Sequence, residues 1–176
     1  MKKQLKKPLQ RIKMIEIIQA INKLDYEQIS KLAFEIWTEH YTPIIGTPSV
    51  DYMLNKFQTA IAIENQVLEG TEYYKLNFNG ELSGYLSFYK KDPFLFLSKI
   101  YVQNSLRGKG LGKKAMAFVE EKAKELNCIG ISLTVNRENT NSIKTYKKMG
   151  FVNTGTNIAD IGEGFVMDDY LMEKIF

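Results

Sequence analysis

The sequence has a single cysteine, Cys128, a single histidine, His40, one tryptophan and only four prolines among 176 residues. One cysteine cannot close an internal disulfide, so the expectation is a reduced, cytoplasmic protein. No run of about 18 consecutive apolar residues is present, which excludes a helical membrane span on hydropathy grounds. The basic N-terminal stretch also lacks the apolar run that a secretory leader carries behind its charges. Repeats, biased tracts and Pro/Gly-rich segments are missing too, and solenoid and low-complexity classes go with them. What remains is 44% hydrophobic and 25% charged, the balance of a soluble domain able to bury a full core.

Net charge is +4, yet Lys2, Lys3, Lys6, Lys7, Arg11 and Lys13 all precede residue 14 with no acid among them. Without those six, the 24 basic residues fall to 18 against 20 acidic ones. Segment 1–13 therefore reads as a solvated, frayed tail ahead of one domain over 14–176, and neither nucleic acid nor membrane is expected as a partner.

Met14 to Ala20 reads as a first strand. Asp25 then stands as an N-cap for a helix whose apolar residues Ile29, Leu32, Ala33, Ile36 and Trp37 recur at three- and four-residue steps. Tyr41 to Pro48, with two prolines and a glycine, reads as a loop, and Val50 to Phe57 as helix that runs on towards Leu68. Tyr73–Phe78 and Leu82–Tyr89 flank an Asn79-Gly80 turn as a hairpin. Phe94–Val102 is a further strand, 110–126 an amphipathic helix, 131–135 a strand, and 139–149 a helix capped by Asn139 and stopped by Gly150. Strands over 151–156 and 165–174 close the chain. This β, α, α, β, β, β, α, β, α, β, β order implies an α/β domain: one mixed, mostly antiparallel sheet with helices on both faces.

The chemistry-bearing stretch is Arg107-Gly108-Lys109-Gly110-Leu111-Gly112-Lys113, lying between an apolar strand and an amphipathic helix. A glycine turn lets backbone amides approach an anion at the positive end of a helix dipole, and the flanking cations add charge. Spacing excludes two nucleotide loops. Five residues before Gly112 stands Arg107, and Lys114 follows Lys113, which breaks the Walker A pattern; Lys113 also stands where a Gly-x-Gly-x-x-Gly begun at Gly108 requires glycine.

The run from Ile100 to Gly112 resembles the Arg/Gln-x-x-Gly-x-Gly/Ala signature of the GCN5-related N-acetyltransferases. At the expected distance, Asn139 to Phe151 resembles that family's Asn-x(6)-Tyr-x(4)-Gly-Phe helix. The resemblance implies acetyl-CoA as cosubstrate and no metal. The backbone of Ile100, Tyr101 and Val102 would pair with pantetheine in a gap between the fourth and fifth strands. Arg107, Gly108, Lys109, Gly110, Leu111, Gly112 and Lys113 would hold the pyrophosphate, and Asn139, Tyr146 and Lys148 of the later helix would also bind the cofactor.

The resemblance also implies direct transfer of acetyl to a primary amine of a small molecule or peptide, with Tyr146 as the general acid. A phenol near pKa 10 donating to a thiolate whose conjugate acid is near 8.5 is slightly uphill in water, so pre-organisation must assist. The acceptor site falls on Trp37, Glu39, His40 and Tyr41, where Glu35 and Asp51 add acidity suited to a cationic amine. A loose similarity to bacterial polyamine acetyltransferases extends over Trp37–Phe57 and Gly164–Met172. One departure stands out: Phe94 to Lys99 holds no acid where many relatives carry a basic glutamate. Glu39, His40, Asp51, Asp168 and Asp169 are then the candidates for the base. The missing acid also keeps open an acyl-CoA-binding module without turnover. A monomer or homodimer is expected.

Overall fold

A computed structural model describes residues 14–176; the basic segment 1–13 lies outside the described residues. Seven strands and five α-helices follow one another as β1 (Ile15–Gln19), α1 (Lys23–Ile45), α2 (Thr47–Phe57), α3 (Ala60–Leu68), β2 (Glu72–Phe78), β3 (Glu81–Lys91), β4 (Phe94–Val102), α4 (Leu111–Glu125), β5 (Gly130–Asn136), α5 (Thr140–Lys148), β6 (Val152–Gly162) and β7 (Phe165–Ile175). They build a single sheet ordered β1-β2-β3-β4-β5-β7-β6, in which only β4 and β5 run parallel. That parallel pair is joined by α4, as a crossover connection requires.

Alternation along the strands gives the sheet two apolar faces. Tyr73 and Tyr85 turn to one side and pack with Ile29, Ile36, Trp37, Met53 and Ile63 from α1, α2 and α3. Tyr74, Leu76, Leu86 and Phe88 turn to the other, where α4 lays down Ala115, Met116, Val119 and Ala123. Each large side chain buried there contributes about 1.5–3 kcal/mol, while the two alanines let the helix axis approach the sheet closely. Cys128, 7% exposed, packs into this second cluster. Helices thus cover both faces, as the element order implies.

Several local expectations are corrected. The N-cap of α1 is Asn22, whose side chain accepts from the Asp25 amide at 3.1 Å; Asp25 instead reaches back to accept from the Ile21 amide at 3.0 Å. Tyr41 to Ile45 is not loop but the last turn of α1, with Pro43 inside the helix. The carbonyl that Pro43 leaves without a donor is that of Glu39, an exposed residue that water can serve. The chain breaks only at Gly46 (φ 81°), and α2 opens with Pro48 in its first turn. The helix expected to continue from 57 to 68 is two helices, because Thr59 caps a new one by accepting from Ala62 at 3.1 Å. β6 runs on to Gly162 rather than ending near 156, and turns into β7 through Glu163 and Gly164, both at positive φ. Among the described residues no helix is long and apolar enough to cross a membrane.

Candidate active site

The parallel ladder between β4 and β5 lasts three rows, Phe94 with Gly130, Leu95 with Ile131 and Phe96 with Ser132. Its divergence has a local cause. Against β3, Ser87 pairs with Lys99 but Phe88 pairs with Leu97, so Ser98 is a bulge that increases the strand's twist. Beyond the bulge, Leu97–Val102 and Leu133–Asn136 form opposite walls of a cleft of about 840 Å³ that connects the two faces of the sheet. The β4 side of this seam presents backbone groups with no strand to pair with, the arrangement that accepts an extended ligand. Ile100, Tyr101 and Val102 all line it.

At one end of the seam lies the glycine turn. Gly108 and Gly110 hold φ of 75° and 95°, and α4 starts behind Gly110 with no side-chain cap. Its first helical bond runs from the Lys114 amide to the Gly110 carbonyl, so the amides of Leu111, Gly112 and Lys113 have no helical acceptor. A Cβ placed on Gly108, Gly110 or Gly112 would meet nothing within 4 Å. The turn is therefore an open, uncapped helix N-terminus, which fits a phosphate group. Arg107 and Lys113 line the cleft with it; Lys109 does not, its ammonium lying 5.7 Å from the Phe78 ring centre.

On the α4–α5 face, Asn139 caps α5 by accepting from the Ser142 amide at 3.3 Å, and Tyr146 lines the cleft with its ring edge-on to Phe151 at 5.7 Å. Burial raises the Tyr146 phenol above its ordinary value, so it stays a proton donor throughout the physiological range. Lys148, the other α5 residue expected here, is exposed and outside the lining.

On the α1–α3 face, Trp37 is 5% exposed and stacks among Tyr41 and Tyr101 at 4.9 and 5.5 Å. Its indole N–H donates to the Tyr85 hydroxyl at 3.0 Å, and Tyr85 donates onward to Gln58 Oε1 at 3.2 Å. His40 and Tyr41 also line the cleft. Because Asn139 uses its oxygen as the cap, its amide nitrogen faces His40 Nε2 at 3.2 Å, while a guanidinium nitrogen of Arg107 faces His40 Nδ1 at 3.4 Å, so each ring nitrogen looks onto a donor. Burial first, and Arg107 second, depress the imidazole's pKa, so His40 is neutral, with a donor already facing each ring nitrogen.

The expected acidic surround is not assembled. Glu39 turns to Asn104, accepting at 3.1 Å, while Asp51 is exposed on α2 and Glu35 borders a separate, smaller pocket. Asp168 pairs with Arg137 at 2.8 Å. Of the five candidates for the base, the cleft takes in His40 and Asp169, and Asp169 is the one carboxylate among its lining residues. It is 3% exposed, and burial, against an opposing hydrogen bond from Thr134, raises its pKa from 3.8 to about 6, with Asp168 adding to the rise. By strand alternation Asp169 lies on the same face as Met167, which packs with the α1–α3 cluster. Two further lining residues went unnoticed in the sequence, Lys99 and Gln58. The available signal for Lys99 was a lysine that, beside Ser98, interrupts the mostly apolar Phe94–Val102.

The sequence profile described as "Acetyltransferase (GNAT) family" matches residues 31–151. An uncharacterized N-acetyltransferase of Lactobacillus delbrueckii subsp. lactis is 29% identical over 60% of this chain and 65% of its own length. A spermine/spermidine N(1)-acetyltransferase of Bacillus subtilis is 29% identical over 45% of this chain and 60% of its own. The chain thus spans under two thirds of the length of the curated relatives it matches. Among solved structures, the PaiA N-acetyltransferase of Thermoplasma acidophilum, in complex with coenzyme A, superposes with a TM-score of 0.77 over 93% of this chain and 99% of that one, at 20% identity. A matched profile over most of the chain, on a sheet split between its fourth and fifth strands, places this protein in the GNAT acetyltransferase family.

Proposed function

We propose that the protein is an acetyl-CoA-dependent N-acetyltransferase acting on a primary amine. The observation that carries this is the unpaired β4 seam, which joins the uncapped α4 N-terminus at one end to Tyr146 and Asp169 within one cleft. The amides of residues 111–113, with Arg107 and Lys113, hold the pyrophosphate of acetyl-CoA. The backbone of Ile100, Tyr101 and Val102 pairs with its pantetheine arm and polarises the thioester carbonyl.

Asp169, ionised above about pH 6, takes a proton from the acceptor ammonium. This matters because an alkylamine near pKa 10.4 is only about one part in a thousand neutral at pH 7. The amine nitrogen then forms its bond to the acetyl carbon as the carbon–sulfur bond breaks. Tyr146 gives its phenolic proton to the departing thiolate, and the second proton that the nitrogen sheds on becoming an amide restores the phenol, while Asp169 passes the first to water. Burial weakens the phenol as an acid, but the thiolate forms in the same water-poor cleft and is penalised by it too. Asn139 and His40 act as positioning residues, tying α1 to the start of α5. A lone cysteine packed in the core suits a cytoplasmic setting.

The test is release of free CoA thiol from acetyl-CoA across a panel of polyamines, amino acids, aminoglycosides and lysine peptides. Amine-dependent release is expected. Binding of acetyl-CoA without release for any amine would replace the enzyme with a binding module.

A further inference from the structure

Two buried donors in the cleft, both on the α1–α3 face, are incompletely answered among the described residues: a lysine without a counter-ion and an amide without an acceptor. Lys99 is 8% exposed and gives two of its three ammonium protons to Gln66 Oε1 at 3.0 Å and Ser98 Oγ at 3.2 Å. Its charge lies 5.3 Å from the Tyr73 ring centre, and among the described residues it enters no ion pair. Burial lowers its pKa to about 8, which still leaves a cation at neutral pH.

Gln58 is 2% exposed between α2 and α3. The relay from Trp37 through Tyr85 ends on its carbonyl oxygen, which orients the amide and leaves Nε2 buried without a partner among the described residues. A buried cation without a counter-ion and a buried amide without an acceptor call for the same thing, a group with several lone pairs and negative charge.

The cosubstrate's phosphates do not answer that need. Their turn follows Val102, about 10 Å of strand beyond Lys99, and has Arg107 and Lys113 of its own. Across the gap on the same face stands Asp169, the one acid of the lining. The acceptor region therefore has a cationic pole on β4 and an anionic pole on β7. Its walls between the poles include apolar Met53, Phe57, Phe165 and Met167.

We propose that the acceptor is an amine that also carries a carboxylate, an amino-acid-like substrate held at its carboxylate by Lys99 and Gln58 with its amino group towards Asp169. This rests on the N-acetyltransferase reading. A polyamine fits poorly, since it brings further positive charge to Lys99 and no acceptor to Gln58.

Matched pairs that differ only in the carboxylate test the idea: phenylalanine with phenethylamine, lysine with cadaverine, γ-aminobutyrate with propylamine. For at least one pair, kcat/KM of the wild type should favour the carboxylate-bearing member by about tenfold or more. Lys99→Met, which fills the same volume without charge, and Gln58→Leu should each raise KM for that member and shrink the preference, with acetyl-CoA affinity and melting temperature reporting that the fold is intact. Preference for the amines lacking a carboxylate in every pair, or a preference unchanged in Lys99→Met, overturns the proposal.

Calorimetry of the same compounds on the CoA-loaded protein separates the two readings. Lys99-dependent binding of a carboxylate-bearing amine without any turnover would keep the carboxylate site and remove the transferase. If no carboxylate-bearing amine binds in a Lys99-dependent way, the site itself falls.

Discussion

Replacing Asp169 by asparagine should yield a protein that is more stable and nearly inactive. In the native state the carboxyl is 3% exposed and its pKa rises from 3.8 to about 6. A raised carboxyl pKa means that the folded chain holds the proton more tightly than the unfolded chain does. The ionised form therefore costs stability above about pH 6, and the cost fades as pH falls towards 3.8. Each factor of ten in proton affinity is about 1.4 kcal/mol, so the full penalty is on the order of 3 kcal/mol. Asparagine keeps an oxygen for Thr134 but brings two donors of its own, which reduces the expected gain to about 1–2 kcal/mol. Urea unfolding should show that gain at pH 7.5 and no gain or a small loss at pH 4.5, where the carboxylate penalty has fallen to about 1 kcal/mol while the cost of the two amide donors is unchanged. Turnover should fall by about 100-fold or more, and the wild type should lose kcat/KM as pH drops through about 6, with that limb absent in the variant. An asparagine variant less stable than wild type at pH 7.5, or a gain equal at both pH values, would refute the buried-carboxylate argument.

Tyr146→Phe should lower kcat by about 100-fold while leaving the affinity for CoA within about twofold, measured by thiol release and calorimetry. Gly112→Val tests the phosphate cradle more cleanly than a change at Gly110, since Gly110 needs its φ of 95° and Gly112 does not. Nothing among the described residues lies within 4 Å of the new Cβ, so the variant should melt close to wild type yet bind CoA at least about tenfold more weakly. Gly84→Ala should do the opposite: its Cβ would fall 2.4 Å from the Tyr101 carbonyl, so β3 and β4 must separate, at a cost of about 1–3 kcal/mol in denaturant unfolding. Wild-type stability in Gly84→Ala would mean that the β3–β4 register is wrong.

The parts of this molecule that were legible in its sequence are those specified within a dozen residues. The Asn79-Gly80 hairpin, the glycine turn before α4, and the Asn139 cap with its Gly150 stop are each set by local backbone chemistry, and each forms as expected. The misreadings arise where tertiary packing overrides a local signal. Pro43 and Gly46 read as a loop, but Trp37 and Tyr41 anchor α1 against the sheet and its last turn persists through the proline. Asp168 and Asp169 are neighbours of one type; which of them faces the cleft is decided by the register of β7 against β5, where Asp169 stands opposite Asn136. Gln58 was invisible, and Lys99 only faintly signalled, for the same reason. A lysine in a strand and a glutamine at a helix end are ordinary surface residues until α3 covers one and Tyr85 orients the other.

The three-row ladder between β4 and β5 also bears on the protein's endurance. Most of the sheet's cohesion is encoded in the chain, but along the diverging seam it is left for a visitor to supply. Whatever occupies that gap binds the folded chain and not the unfolded one, and at a hundred times its dissociation constant it adds about 2.7 kcal/mol of stability. The melting temperature is therefore a gauge of occupancy, and a fall in free ligand would be felt first as a shortened lifetime against proteolysis.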